Sequence, residues 1–227
     1  MLLKGVLLIF FICILTLRQT RPNSIEKFME FIHIPKNAGT AIENVAKEKG
    51  VRWGRFKPEH REFMDENICN YWHIPPKRFK EGNFYQRDDS FCVIRNPFSR
   101  IISEYAYRHS NQPKKNNAKD LNDWIEKVLT KDNVNTKGGM DCHLFPQHDY
   151  VYDDVNDVYT CHNILRFEHL EDDFNDLMKK ENYDLKLNKK DNTTNFGLTE
   201  KQINSKNRAL ITTLYARDFE LWEKNLP

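Results

Sequence analysis

The sequence has almost no net charge and no internal repeats. Its 227 residues include 35 Lys and Arg against 33 Asp and Glu, a formal charge of +2 at pH 7. Lys4, Arg18 and Arg21 lie in the first 22 residues, which hold no acid, so the rest of the chain carries 32 bases against 33 acids. This near neutrality argues against a nucleic-acid partner, because such proteins present a basic surface. Any anion must therefore be bound by a local cluster of basic residues. The length of the chain suits one domain of ordinary size.

Long hydrophobic runs are absent except near the start of the chain. Gly5 to Leu17 is an uncharged stretch of thirteen residues with bases on both sides. No small-x-small cleavage site follows it, which favours a short membrane anchor over a cleaved signal peptide, although the length suits a signal. A buried helix is the third interpretation. We predict that residues 1–22 are an anchor or signal segment and that residues 23–227 form one domain outside the cytosol.

Metal-binding cysteine motifs are also missing. The five cysteines form no C-x-x-C pair and no spacing typical of a zinc site, so we predict no metal. Cys13 lies in the apolar segment, which leaves Cys69, Cys92, Cys142 and Cys161 as an even set. Cys92 lies in an apolar run, where a buried free thiol is the expected state. Cys142 and Cys161 flank one loop-rich stretch and are the candidates for a disulfide.

Short apolar runs alternate with amphipathic segments along the rest of the chain. A strand, a loop and a helix follow one another three times, which predicts an α/β fold with a central, mostly parallel sheet flanked by helices. In such sheets, ligands bind where the carboxyl ends of strands meet the starts of helices. The predicted strands are residues 28–34, 90–94 and 157–167, and the predicted helices are 41–49, 98–109, 121–130, 168–180 and 199–224.

The first strand-to-helix turn is Pro35 to Thr40, and it lacks a Walker A motif because its lysine precedes its single glycine. It still has the features of an anion site. A helix start offers unpaired amides and a dipole that favours anions. Lys36 adds a mobile positive charge, Gly39 lets a phosphate approach the backbone, and Thr40 adds a hydroxyl donor. The alternative interpretation is a surface turn with an incidental lysine.

The second turn begins at Arg95, which directly follows a strand, and Ser103 lies two turns into the next helix. A guanidinium group suits bidentate contact with phosphate, and a serine hydroxyl can complete the clamp. We expect Arg100 and Arg108 to face solvent or to pair with Glu104. Two anion-binding turns on neighbouring strands predict a ligand with two separated phosphates.

These two turns carry a family resemblance. HIPKNAGT, which begins at His33, resembles the 5′-phosphosulfate-binding loop of sulfotransferases, and FCVIRNPFSRIISEY resembles their 3′-phosphate-binding strand and helix. Further stretches are similar to Golgi carbohydrate sulfotransferases, including the heparan sulfate 2-O-sulfotransferase group. They are HLFPQHDYV, ILRFEHLEDDF and the carboxyl-terminal LTEKQI to LYARDFELWEK, so the resemblance extends over residues 28–224.

The resemblance implies a P-loop-like α/β sulfotransferase domain over residues 23–227, anchored in the membrane and facing the lumen of a Golgi-like compartment. It implies that 3′-phosphoadenosine 5′-phosphosulfate donates the sulfuryl group and leaves as adenosine 3′,5′-bisphosphate. A carbohydrate hydroxyl is the implied acceptor. The matching positions assign donor binding to Lys36, Asn37, Ala38, Gly39, Thr40, Ala41, Arg95 and Ser103.

Sulfuryl transfer to a hydroxyl needs a base for the proton and positive charge at the departing phosphate oxygen. Lys36 suits the second role. His73 is the candidate base, because it lies between the two turns on a segment stiffened by Trp and Pro, and the 2-O-type enzymes place their histidine similarly. His143, His148 and Glu43 remain alternatives for the base.

Two stretches are candidates for acceptor contacts. His143 and Gln147 lie in a loop that is near the acceptor in the resembling enzymes. Arg52 and Trp53 begin a stripe of bases and aromatics, in which Trp53 is predicted to pack on a sugar face, with a solvated loop as the alternative. His33, inside the first strand, is expected to be a hydrogen-bonded core residue.

A later loop carries Lys189 and Lys190, which are possible contacts for the 3′-phosphate, and the glycosylation sequon at Asn192. Two rival functions remain open. One is an ATP-dependent kinase, which the missing Walker A motif disfavours. The other is an anchored glycan-binding protein with an inactive transferase fold.

Overall fold

The computed structural model describes residues 29–64, 69–80, 85, 89–135, 140–188 and 197–225. Within these residues the strands are β1 (Glu30–Ile32), β2 (Ser90–Ile94), β3 (Tyr152–Asp153), β4 (Val158–Tyr159) and β5 (Asn163–Arg166). β1, β2 and β5 form a parallel sheet with β2 in the middle. β3 and β4 form a separate antiparallel pair. The predicted parallel sheet is confirmed.

Helices cover this sheet and connect its strands. In the described part of the chain they are α1 (Gly39–Glu48), α2 (Pro97–Arg108), α3 (Ala118–Val128), α4 (Lys131–Asn135), α5 (His148–Val151), α6 (Leu170–Lys180), α7 (Ser205–Leu214) and α8 (Ala216–Lys224). Short 3₁₀ turns include Gly54–Phe56, Pro58–Phe63, Tyr71–His73, Pro76–Arg78, Pro113–Lys115, Phe167–His169 and Glu200–Gln202. The start of α2 is set by Asn96, whose side chain accepts the amides of Phe98 and Ser99.

The middle strand β2 is buried along its whole length, which explains its unbroken apolar sequence. Phe91 and Val93 pack with Phe31 in a core beneath α1 and α6. Cys92 and Ile94 belong to a second core that includes α5 and part of α8. A third core lies between α2, α3 and α7. Because the three strands are parallel, the turns after β1 and β2 meet at one edge of the sheet.

Two disulfides join distant parts of the chain, and neither is the predicted Cys142–Cys161 pair. Cys69 bonds Cys142, and Cys92 bonds Cys161, with Cα–Cα distances of 5.8 Å and 6.0 Å. The predicted free thiol at Cys92 is therefore wrong as well. The physical reason is strand pairing: β5 lies beside β2, and Cys161 lies just before β5, so it reaches Cys92.

Several elements differ in length from the sequence predictions. The stretch 157–167 is divided between β4 and β5, and the final helix is interrupted at Tyr215, between α7 and α8. No helix in the described ranges is long and apolar enough to cross a membrane. Residues 1–22 lie outside the described residues, as do Lys189, Lys190 and Asn192, so the predictions for them stay predictions.

Candidate active site

The turn between β1 and α1 presents the start of α1 to a cleft of about 930 Å³. Lys36 and Ala38 have positive φ angles of 71° and 63°, which bend the chain tightly ahead of the helix. Gly39 has no space for a side chain, because a Cβ there would lie 2.4 Å from Nε2 of His33. The cleft is lined by seven of the eight residues predicted to bind the donor: Lys36, Ala38, Gly39, Thr40, Ala41, Arg95 and Ser103.

Asn37 is the eighth, and its side chain lies behind the turn together with Gln147. Nδ2 of Asn37 donates to the carbonyl of Val93 and to Oε1 of Gln147, both over 2.6 Å. Gln147 is fully buried, accepts the amide of Arg95 over 2.9 Å and donates to its carbonyl over 2.8 Å. Neither residue lines the cleft, so the structure does not bring Gln147 to the predicted sugar site, and the predicted contact of Asn37 with the donor stays a prediction. These two side chains fasten the first turn to the second.

Arg95 links the two turns directly. Its Nη1 donates to the carbonyl of Lys36 over 3.1 Å, and its Nε donates to Oγ of Ser99 over 2.9 Å. The guanidinium lies 3.8 Å from the ring centroid of Phe167. Burial lowers the pKa of Arg95 to about 10, which leaves the group cationic at pH 7. Arg95 therefore places a positive charge of fixed position in the cleft.

Arg100 is buried, which corrects the expectation that it faces solvent or pairs with Glu104. The carbonyls of three residues accept its guanidinium hydrogens over 2.9 to 3.0 Å: Pro35, Phe145 and His143. Carbonyl groups that point inward need such donors, because an unpaired buried carbonyl is costly. Arg100 thereby joins the first turn to the segment that carries His143.

Lys36 extends from the first turn into the cleft, where its Nζ lies 4.0 Å from the ring centroid of Tyr107. Burial lowers the pKa of Lys36 to about 8, an effect that Glu104 opposes and Arg95 reinforces. Glu104 pairs with Arg108 over 2.6 Å, as the sequence predicts. Among the described residues, no carboxylate forms an ion pair with Lys36 or Arg95, so both charges are available to an anion.

Three histidines stand in a row across the cleft, each bonded to a carboxylate through Nδ1. The rings of His33 and His73 pack edge to face at 4.9 Å, and those of His73 and His143 at 4.7 Å. The pairs are His33 with Glu43 at 2.6 Å, His73 with Asp141 at 2.9 Å and His143 with Glu104 at 2.6 Å. The hydrogen-bonded role expected for His33 is confirmed, although its ring also lines the cleft.

His73 occupies the middle of this row. The amide of His73 donates to the carbonyl of Asn70, and the carbonyl of His73 accepts the hydroxyl of Tyr150 over 2.7 Å. Burial lowers the pKa of His73 to about 4, although its hydrogen bond with Asp141 acts in the opposite direction. The ring is therefore neutral near pH 7, which is the state a general base requires.

The other candidate bases are placed less favourably. Glu43 is fully buried between His33 and Arg55, with Arg55 Nε at 3.1 Å. Burial lowers the pKa of His143, whose Nδ1 is hydrogen-bonded to Glu104 over 2.6 Å and which lies at one end of the row of histidines. His148 does not line the cleft and lies 3.9 Å from a carboxylate oxygen of Asp154. His73 alone of these four is central in the row.

Two predicted acceptor contacts lie away from the cleft. Trp53 is 1% exposed, and its Nε1 donates to the carbonyl of Met29 inside the core. A buried indole has no face to offer a sugar, so that expectation is corrected. Arg52 is on the surface and pairs with Glu59 over 2.6 Å, outside the cleft lining. The alternative of a solvated loop therefore describes Arg52.

The structure adds residues to the cleft that sequence reasoning missed. Trp72 and Tyr107 line it, and Tyr107 is 55% exposed. Tyr107 lies four residues after Ser103 on α2, so helical spacing is a signal that could have found it. Asp141 reaches His73 across 68 residues of sequence, and no local pattern indicates that contact.

One group of side chains has the spacing of a metal site. His73, Asp141 and His143 each offer a ligand atom, and these atoms lie within 4.8 Å of one another. The direct hydrogen bond between His73 and Asp141 means that both are already partnered without an ion. The prediction that the site needs no metal stays a prediction.

The comparisons with known proteins bear on the whole of this domain. A family model described as the Sulfotransferase family matches residues 25–225. The chain belongs to the sulfotransferase family, and the mixed α/β architecture with a small parallel sheet is consistent with that fold. It is thus a transferase of sulfuryl groups. No curated protein and no solved structure matches the chain significantly.

Proposed function

We propose that this protein transfers a sulfuryl group from 3′-phosphoadenosine 5′-phosphosulfate to a hydroxyl group of a carbohydrate. One observation carries the proposal. Lys36 and Arg95 lie in the turns that follow the neighbouring parallel strands β1 and β2. Both lack carboxylate partners among the described residues, and they share one cleft with the neutral imidazole of His73. Two cationic residues joined by a hydrogen bond from the Arg95 side chain to the Lys36 carbonyl suit a ligand with anionic groups at two positions.

The donor would lie along the two turns. Lys36, the hydroxyl of Thr40 and the unpaired amides at the start of α1 would hold the 5′-phosphosulfate. Arg95 and Ser103 would hold the 3′-phosphate. Family membership supports this donor, because sulfotransferases generally use it.

The reaction then follows from the positions of two side chains. The acceptor oxygen attacks sulfur, the bond from sulfur to the 5′-phosphate oxygen breaks, and Nε2 of His73 takes the hydroxyl proton. Lys36 compensates the negative charge that develops on the departing phosphate oxygen. The products are a sulfate ester and adenosine 3′,5′-bisphosphate.

A carbohydrate acceptor is supported by the wall of the cleft beside His73. Trp72 and Tyr107 are aromatic side chains at the cleft surface, and aromatic rings pack well against the apolar faces of sugars. His143 and Arg108 line the same part of the cleft and can donate hydrogen bonds to hydroxyl or anionic groups.

The two disulfides support an oxidising compartment, because such bonds persist outside the cytosol. We place the catalytic domain in the lumen of a Golgi-like compartment, with residues 1–22 as a single-pass membrane anchor. A reporter fused after Pro227 should then be lumenal and membrane-associated. Recovery of the full chain as cytosolic protein would contradict this topology.

The test of the function is calorimetry on the purified full chain with adenosine 3′,5′-bisphosphate, followed by a transfer assay with labelled donor on a panel of glycans. We expect saturable nucleotide binding and label on at least one glycan. Binding of ATP in preference to the bisphosphate would indicate a kinase. Bisphosphate binding and glycan binding without transfer would indicate an inactive transferase.

A further inference from the structure

We propose that Asp141 is a positioning residue for the base: it holds the His73 ring with Nδ1 protonated and Nε2 free. A left-handed turn, which the Cys69–Cys142 disulfide holds in place, brings the carboxylate of Asp141 to His73. This inference rests on the proposed function, because His73 must act on an acceptor proton. The contacts that support it involve none of the predicted donor-binding residues.

The backbone around Asp141 has an unusual conformation. Met140, Asp141 and Cys142 have φ angles of 58°, 62° and 60°, and none of them is glycine. The left-handed region is unfavourable for residues with a Cβ, and single residues visit it far more often than consecutive ones. Such conformations persist only where surrounding contacts over-determine them, and they cluster at functional sites.

The contacts that hold this turn come from the segment that carries His73. Oδ1 of Asp141 accepts the amide of Asn70 over 2.6 Å, and Oδ2 accepts Nδ2 of Asn70 over 2.6 Å. Nδ1 of His73 lies 2.9 Å from Oδ2. The disulfide between Cys69 and Cys142 joins the residues next to Asn70 and Asp141. One covalent bond and three hydrogen bonds therefore fasten the two segments together.

This geometry selects one tautomer of His73. Burial favours the neutral form of Asp141, but hydrogen bonds from His73 and Asn70 outweigh it and lower the pKa to about 2. An ionised carboxylate can only accept hydrogen bonds, so Nδ1 of His73 must carry the proton. The lone pair on Nε2 is then free. His33 and His143, each backed by a carboxylate, pack edge to face on His73 and hold the ring plane.

The first test measures the tautomer and needs no activity. In the ¹⁵N spectrum of the full chain with labelled histidine, Nδ1 of His73 should be protonated and Nε2 unprotonated at neutral pH. In Asp141→Asn the amide can donate to Nδ1, and the proton should move to Nε2. A wild-type His73 protonated on Nε2, or a spectrum unchanged by Asp141→Asn, would overturn the proposal.

The second test measures turnover. Asp141→Asn should lower kcat at least 100-fold, while the Kd for adenosine 3′,5′-bisphosphate and the acceptor KM change less than threefold. Asp141→Glu should recover part of kcat. Asp149→Asn is the matched control, since Asp149 pairs with Lys77 outside the cleft lining, and it should keep wild-type kcat. A wild-type kcat in Asp141→Asn would overturn the proposal.

The two tests separate this inference from the proposed function. If the chain transfers no sulfuryl group but shows the expected tautomer change, the donor or acceptor assignment fails and the positioning role of Asp141 stands. If Asp141→Asn does not fold, the wild-type spectrum still decides the tautomer.

Discussion

Nη1 of Arg95 donates to the main-chain carbonyl of Lys36 over 3.1 Å, so the turns after β1 and β2 are joined at the two residues that carry a positive charge. This hydrogen bond holds the guanidinium of Arg95 against the backbone of Lys36, while Nζ of Lys36 lies over the ring of Tyr107. A preorganised pair of cations loses less conformational entropy when it binds an anion than two independent side chains would.

Replacing Arg95 should weaken donor binding selectively. Arg95→Ala removes a charge-assisted contact and its link to Lys36, so we expect a loss of about 2 kcal/mol, or about 30-fold in Kd. Calorimetry with adenosine 3′,5′-bisphosphate measures this. Arg217→Ala is the control, because Arg217 pairs with Asp154 on the surface. Wild-type affinity in Arg95→Ala would remove Arg95 from the donor site.

His73 and His143 should differ in the kinetic constant that they affect. His73→Ala should lower kcat by about 10²–10⁴-fold with little change in nucleotide affinity, since a base acts only on the reacting hydroxyl. His143→Ala should instead raise the acceptor KM. Steady-state transfer assays with varied acceptor distinguish the two. If His73→Ala keeps more than a tenth of kcat while Glu43→Ala abolishes it, Glu43 is the base.

The pH dependence of kcat/KM should be bell-shaped. His73 must be deprotonated and its pKa is lowered to about 4 by burial, so activity should rise with pH through that value. Lys36 must be protonated and its pKa is lowered to about 8, so activity should fall above it. Lys36→Arg keeps its charge at every working pH and should lose the alkaline limb. An unchanged alkaline limb in that variant would assign it to another group.

Removing the two disulfides should have different effects on catalysis. Each loss should reduce stability by about 2–5 kcal/mol, measured by denaturant unfolding. The double variant Cys69→Ser with Cys142→Ser should also lower kcat at least tenfold under conditions where it is folded. The matched variant Cys92→Ser with Cys161→Ser should keep kcat, because that bond joins β2 to the start of β5. Equal kcat values in the two variants would contradict this expectation.

The sequence by itself determined the parallel α/β architecture and the positions of the two turns. Both depend on local pattern: an apolar strand, a short turn and an amphipathic helix, with Lys36 inside the first turn and Arg95 directly after the second strand. Parallel strands bring such turns to one edge, so local spacing was enough to place both cations in one cleft. His73 was named as the candidate base from its place between the two turns and from the family resemblance.

Only the tertiary structure decided which side chains surround the base and which are buried. Asp141 and His73 are 68 residues apart, and their contact depends on how two irregular segments pack. The partner of Cys92 depends on strand order, and the partner of Cys69 depends on the packing of those same irregular segments. The buried polar groups of Trp53 and Arg100 need carbonyl groups contributed by other elements. Such contacts form between distant residues, so composition and periodicity along the chain contain no signal for them.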